Sequence, residues 1–225
     1  RLRTDGVEAV GLLCVVGEER GSDGAAAANR ASPGCAYLIN GEPTDNRLGL
    51  ATRGVMRVRL RAAGRAAHSS RPELGESAVE KLIDALVELR RIEWPSHAVY
   101  GATNYTVGVI SGGVAPNVVP PSAEAEVLFR TVGPSKDIRA RLAPVERLVA
   151  IEDVIEVQPV TLTTVPGFDT AVFPFTTDIP LLSAWGTPLL YGPGSATVAH
   201  TLDEHVVIAD LFSAVDDYVR LTQIL

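Results

Sequence analysis

The sequence predicts an α/β protein whose mostly parallel sheet layer is interrupted by an inserted α+β unit of the ferredoxin-like βαββαβ type. Three observations lead there. Short apolar runs ending in glycine or polar residues alternate with helix-like stretches near the start of the chain. From residue 54 the rhythm changes to long strands of alternating polarity around two amphipathic helices. After residue 162 the first rhythm returns, with an apolar strand that runs into a glycine loop and a closing helix.

Taken in order, "RLRTD" before Gly6 resembles the end of a helix, and a chain that opens in the middle of such a unit suggests that upstream sequence is absent. Residues 9–16 read as a buried strand that stops at Gly17. Residues 22–31 read as a helix capped by Ser22 or Asp23, "CAYLIN" (35–40) as a second buried strand, and "LGLATRG" as a weaker one. "GVMRVRLRA" (54–62) alternates basic with apolar residues, the mark of a half-exposed strand. "ESAVEKLIDALVELRRI" (76–92) carries Ala78, Leu82, Ala85, Leu86 and Leu89 on one helical stripe. Strands follow at 104–111 and 122–132. A helix over 134–150 starts at a proline and is disturbed at Pro144, and a last strand covers 153–160. Residues 208–225 form an amphipathic helix. The predicted domains are a first α/β part (1–53), an inserted unit (54–162) and a second α/β part (163–225).

The chain has 225 residues, 46% of them apolar, which is enough for a sizeable core. A net charge of −7 argues against nucleic acid or an anionic membrane as partner. No apolar run reaches the length of a bilayer span, and no signal peptide is evident. Cys14 and Cys35 lack the spacing of a redox pair or zinc knuckle and read as reduced core residues, which points to a cytoplasmic protein.

The candidate chemistry lies at strand ends. Glu18 and Glu19 read either as acids of a solvated turn or as a pair in which one carboxylate binds a metal and the other takes a proton from water. Glu42, in "NGEPT", is a turn residue or a second strand-end acid. His200, in "VAHTLDEH", shares its loop with Glu204, a candidate to orient its ring. His200 and His205 are five apart and cannot share a helix face as a zinc pair. His68, among serines before Pro72, reads as solvated or as a substrate contact, and His97 as exposed. Asn117, in "GGVAPNVVP", sits in a turn and offers an amide. Arg130, at the end of "EVLFRT", could grip a carboxylate or stand as an exposed strand charge.

Together, "VVGEERGSDG", "NGEPT", "GRAAHSSRPELGESAVEKL", "GGVAPNVVP", "EVLFRT" and "GPGSATVAHTLDEHV" resemble, in order, the motifs of the dinuclear-zinc amidohydrolases. That family includes acetylornithine deacetylase, succinyl-diaminopimelate desuccinylase, aminoacylase and carboxypeptidase G. The resemblance implies metal-dependent hydrolysis of an amide bond in an N-acyl amino acid or dipeptide, with two zinc ions per subunit that cobalt can replace. It implies Glu18 as general base, Glu19 and His200 as ligands of one metal, and Glu42 as a ligand of the other. It also implies His68 as a catalytic residue that stabilises the oxyanion, with Asn117, Arg130 and the Gly194 loop as substrate-binding positions. The inserted unit would be a lid and the surface of a homodimer.

One departure follows. The family's first zinc histidine and its bridging aspartate precede the Glu-Glu pair, and nothing upstream of Gly17 matches them. A catalytic zinc needs about three protein ligands. The expectation is therefore hydrolysis by a longer polypeptide, with this chain by itself inactive and binding metal weakly. The alternative is a non-catalytic dimerisation or ligand-binding module.

Overall fold

The computed structural model describes every residue except Arg1, Arg3, Glu8 and Ser32. Of the helix end expected before Gly6, Arg1 and Arg3 lie outside the described residues. Along the chain run α1 (Asp23–Ala28), β1 (Tyr37–Asn40), β2 (Leu48–Thr52), β3 (Gly54–Ala63), α2 (Ala78–Arg91), β4 (Ser96–His97), β5 (Gly101–Ala102), β6 (Asn104–Gly112) and β7 (Ser122–Thr131). They continue with α3 (Ser135–Arg141), α4 (Ala143–Glu146), β8 (Ala150–Val157), β9 (Val160–Thr161), β10 (Thr170–Phe173), β11 (Thr187–Leu190) and α5 (Ile208–Ile224). Two units form: Arg1–Thr52 with Val160–Leu225, and Arg53–Pro159.

In the unit Arg53–Pro159 the sheet order is β6-β7-β3-β8, with every neighbouring pair antiparallel. This is the strand order of a ferredoxin-like split βαβ. The alternation in β3 is what orients it. Met56, Val58, Leu60 and Ala62 point into a core shared with Leu82, Ala85 and Leu89 of α2 and with Val127 and Phe129 of β7. The arginines between them face the other way and meet cross-strand acids: Arg59 lies 2.7 Å from Glu126, and Arg61 lies 3.0 Å from Glu152. Their role is to keep the open sheet face charged and soluble; each such pair adds under about 1 kcal/mol. Ser77 caps α2 by accepting from the N–H of Glu80 at 3.2 Å. The helix expected over 134–150 is two short helices, α3 and α4, that part just before Pro144, because proline cannot donate to the preceding turn.

In the other unit β1 pairs in parallel with β11, and β2 pairs in parallel with β10 and antiparallel with β9. Leu48, Leu189, Tyr191, Ala214 and Leu221 close its main core. The last turns of α5 are fixed by a polar network. Tyr191 donates to Asp217, Tyr218 donates to the carbonyl of Tyr191 at 2.7 Å, and Arg220 lies over the ring of Phe168.

Three expectations are corrected here. Residues 9–16 form no strand, and Leu12 (91%) and Val16 (77%) are exposed rather than buried. An apolar run becomes a strand only where a neighbour takes its backbone hydrogen bonds, and among the described residues no strand does so. Cys14 and Cys35 are therefore exposed, not core residues. Residues 35–40 yield a strand, β1, but a half-exposed one, since β11 is its one partner strand among the described residues.

Candidate functional site

The acidic pair is presented by a turn. Gly17 takes φ 82°, which a side chain would resist, and reverses the chain so that Glu18–Arg20 form one turn of 3₁₀ helix. The turn is tied by Ser22 N–H to the Gly17 carbonyl (2.7 Å) and Gly24 N–H to the Val16 carbonyl (3.0 Å). Glu42 and His200 come from the loops after the parallel strands β1 and β11, at their carboxyl ends, where α/β sheets place ligands. The two loops are stitched together. Thr44 Oγ1 donates to the Gly192 carbonyl (3.1 Å) and accepts from the Gly192 N–H (3.0 Å). Asp45 N–H donates to the Gly194 carbonyl at 2.8 Å. Only glycine allows this approach, because a Cβ at residue 192 would lie 2.5 Å from the carbonyl oxygen of Glu42. Gly194 itself is buried at φ 81°. A cavity of about 280 Å³ opens beside these loops, lined by Pro43, Gly194, Ser195, Glu204, His205 and Val206.

The structure brings Glu19 and His200 together, with Nε2 of the imidazole 3.1 Å from Oε1 of the carboxylate. Glu204 does not reach that ring. Instead its Oε2 accepts the backbone N–H of His200 at 2.7 Å. His200 stands at φ 61°, a left-handed conformation that strains a non-glycine residue by about 1–3 kcal/mol. A hydrogen bond to a charged acceptor is of similar size, about 1.5–3 kcal/mol.

Glu18 and Glu42 share one electrostatic neighbourhood. Burial raises the Glu18 pKa, and Glu19 and Asp178 raise it further, against the pull of His200. Glu42 is pushed up to about 7, first by burial and then by Glu18, Asp178 and Glu19. Asp178 is the member the sequence did not reveal. It is only 4% exposed, and its Oδ1 is buried with no hydrogen-bond partner among the described residues. The available signal was a lone aspartate between Thr177 and Ile179, both buried.

The fold raises the Glu42 pKa from 4.5, so the folded chain holds that proton where the unfolded chain releases it. Stability from this group is complete below pH 4.5 and lost as pH rises to about 7. Glu42 is half-buried, so solvent screening reduces the effect to roughly 1–2 kcal/mol. In chelating buffer, Glu42→Gln should flatten the fall in melting temperature between about pH 5 and 7. Equal slopes in the two proteins would refute the shift.

The donors are right in kind for a divalent cation, a carboxylate oxygen and an imidazole nitrogen at one point and a crowd of uncompensated carboxylates around it. They are insufficient in number. Among the described residues no three His, Cys, Asp or Glu side chains gather closely enough to hold a metal ion. This chain by itself does not fit the two-zinc site that the resemblance implies.

The remaining candidates belong to the unit Arg53–Pro159. The His68 and Asn117 loops are zipped together: His68 bridges Val118, and Ser69 N–H donates to the Asn117 carbonyl at 2.9 Å. The exposed His68 ring meets Ser70 Oγ at 2.8 Å. Arg130 lies mid-sheet between Val55 and Asn104, half-buried, with its pKa lowered by desolvation. His97 is exposed and stacks on Tyr100.

Residues 50–154 match the peptidase dimerisation domain of the M20 peptidases. A peptidase M20 domain-containing protein of Schizosaccharomyces pombe is 36% identical over 93% of this chain and 54% of its own length. A probable carboxypeptidase of Aspergillus clavatus is 38% identical over 93% of this chain and 57% of its own length. The chain thus spans about half the length of the curated relatives it matches. Among solved structures, the aminopeptidase PepT of Bacillus cereus superposes with a TM-score of 0.71 at 17% identity, over 91% of this chain and 61% of that one. A tripeptidase of Staphylococcus aureus gives the same score at 18% identity, over the same shares.

Proposed function

We propose that this chain, which is similar to M20 peptidases and matches the peptidase dimerisation domain over residues 50–154, serves the hydrolysis of an amide bond in a small peptide or N-acyl amino acid. The observation that carries this reading is the meeting of Glu19 and His200 at 3.1 Å inside a cluster that also raises the pKa values of Glu18 and Glu42. The names of the relatives, carboxypeptidases among them, favour a peptide substrate.

In this reading Glu18 is the general base. Its raised pKa lets it accept a proton from the attacking water and return it to the leaving amine. Glu19 and His200 are the donor pair for one divalent cation and Glu42 contributes to a second, with zinc or cobalt as the proposed metals. A cation held there would supply water of lowered pKa. The remaining ligands must come from outside the residues described here, so the hydrolytic activity is proposed for a longer polypeptide. His68 is proposed to steady the oxyanion, and Asn117, Arg130 and the Gly194 loop to bind substrate. A half-buried guanidinium such as that of Arg130 suits a substrate carboxylate, which offers it two hydrogen bonds. A cytoplasmic location is proposed on the sequence alone; no helix among the described residues is long and apolar enough to cross a membrane.

The test is turnover by the metal-loaded, full-length protein on a panel of dipeptides, tripeptides and N-acyl amino acids. No turnover on the whole panel with metal bound would remove the reading, and would favour the dimerisation or ligand-binding module instead.

The homodimer is proposed to form through the outer strand β6. It is an edge strand, and Val109 and Ile110 on it are more than half exposed, which leaves backbone and apolar surface open to a second copy. Ile110→Lys is expected to turn a dimer into a monomer by light scattering, without lowering the melting temperature of the unit. A monomeric wild-type protein would contradict this assembly.

A further inference from the structure

We propose that Glu204 is a positioning residue that acts through the main chain of His200, fixing its left-handed conformation and so aiming the imidazole at Glu19. This rests on the reading of Glu19 and His200 as a functional pair. The sequence suggested a carboxylate on the ring; the geometry points to a carboxylate on the backbone.

Four observations support it. His200 is a non-glycine residue at φ 61°, so its conformation must be held by something outside itself. Its N–H donates to Glu204 Oε2 at 2.7 Å, a charge-assisted bond. The segment between them is folded back by its own bonds: Thr201 Oγ1 donates to the Val198 carbonyl at 2.7 Å, and Glu204 N–H donates to the Thr201 carbonyl at 3.3 Å. The neighbours of Glu204 engage each other, with His205 Nδ1 2.6 Å from the Asp203 carbonyl.

The consequence for the pair is geometric. The direction of Cβ follows from φ, so a His200 that relaxes to the right-handed region swings its ring away from the Glu19 turn. Both ring and carboxylate are largely exposed, with side chains 72% and 68% accessible, so packing does not hold them in register. The backbone bond to Glu204 is then what orders the donor pair before any cation or substrate arrives. Glu204 touches neither Glu19 nor the ring of His200 among the described contacts, so its effect is orientation.

Long-range proton–nitrogen spectra of the imidazoles in this chain, at one fixed pH and without metal, test the proposal. His200→Gln identifies the His200 signals, and Glu19→Gln gives their position once the pair is broken. Glu204→Ala is expected to move the His200 signals to the Glu19→Gln position while those of His68 and His97 stay in place. Glu204→Gln keeps an oxygen that can accept the N–H, and is expected to keep the wild-type position. If Glu204→Ala leaves His200 unmoved, the proposal fails. If Glu204→Gln behaves like Glu204→Ala, an acceptor at the His200 N–H is not enough to hold the conformation, and the proposal fails as well. Should Glu204→Ala also displace His68 and His97, the chain has unfolded and the Gln variant decides. A Glu19→Gln that leaves His200 unmoved means the pair itself does not form, which sinks the site reading separately from the role of Glu204.

Discussion

Glu18→Gln is expected to lower kcat by about 10²–10⁴-fold in the metal-loaded, full-length protein, with bound metal unchanged. The size follows from the loss of a positioned proton acceptor, since glutamine has the shape of glutamate but takes no proton. The split between turnover and metal content follows from the neighbour. Glu19, not Glu18, meets His200, at 3.1 Å, so the proposed cation donors survive the substitution. Glu18 is suited to the proposed role because partial burial and the charges of Glu19 and Asp178 raise its pKa above the usual carboxylate value. Rate and metal analysis on the same preparation give the answer. Metal lost together with activity would make Glu18 a ligand, and activity retained would end its role as base.

Phe129→Ala is expected to destabilise the unit Arg53–Pro159 by about 3–5 kcal/mol, read as a fall in the urea midpoint followed by tryptophan fluorescence. Phe129 is fully buried towards the end of β7, opposite Met56 on one side and Tyr105 on the other. Its ring meets Trp94 edge-on at 4.9 Å and Tyr105 at 5.7 Å. Alanine removes both contacts and leaves a void that neighbours on a four-stranded sheet cannot close, because their positions are fixed by the ladder. Phe129→Leu, which refills part of the space, should lose markedly less. A midpoint shift for alanine no larger than for leucine would show that the aromatic cluster does not hold this core.

Much of this was legible beforehand, and the reason is periodicity. In β3 and α2 the alternation of Met56, Val58 and Leu60 and the stripe of Leu82, Ala85 and Leu89 report directly which face is buried. Pro144 announced the break between α3 and α4 because its effect is local. Residues 9–16 misled for the opposite reason. An apolar run states what it would bury, not whether a neighbouring strand is there to receive it, and Leu12 and Val16 stand in solvent. β9 and β10 were not foreseen, being short strands whose pairing with β2 comes from residues more than a hundred positions away.

The candidate site divides in the same way. Its residue types could be named from the sequence, because acids and a histidine at strand ends have few uses and their order along the chain resembles known motifs. What each one touches could not. That Glu19 and His200 meet, that Glu204 holds a backbone N–H and not a ring, and that Asp178, from the segment between β10 and β11, joins the acidic neighbourhood all depend on segments far apart in the chain coming together. Chemical identity and local periodicity are carried by neighbouring residues and survive in one dimension. Distance between residues 19 and 200, and the burial that moves a proton, exist only once the chain has closed on itself.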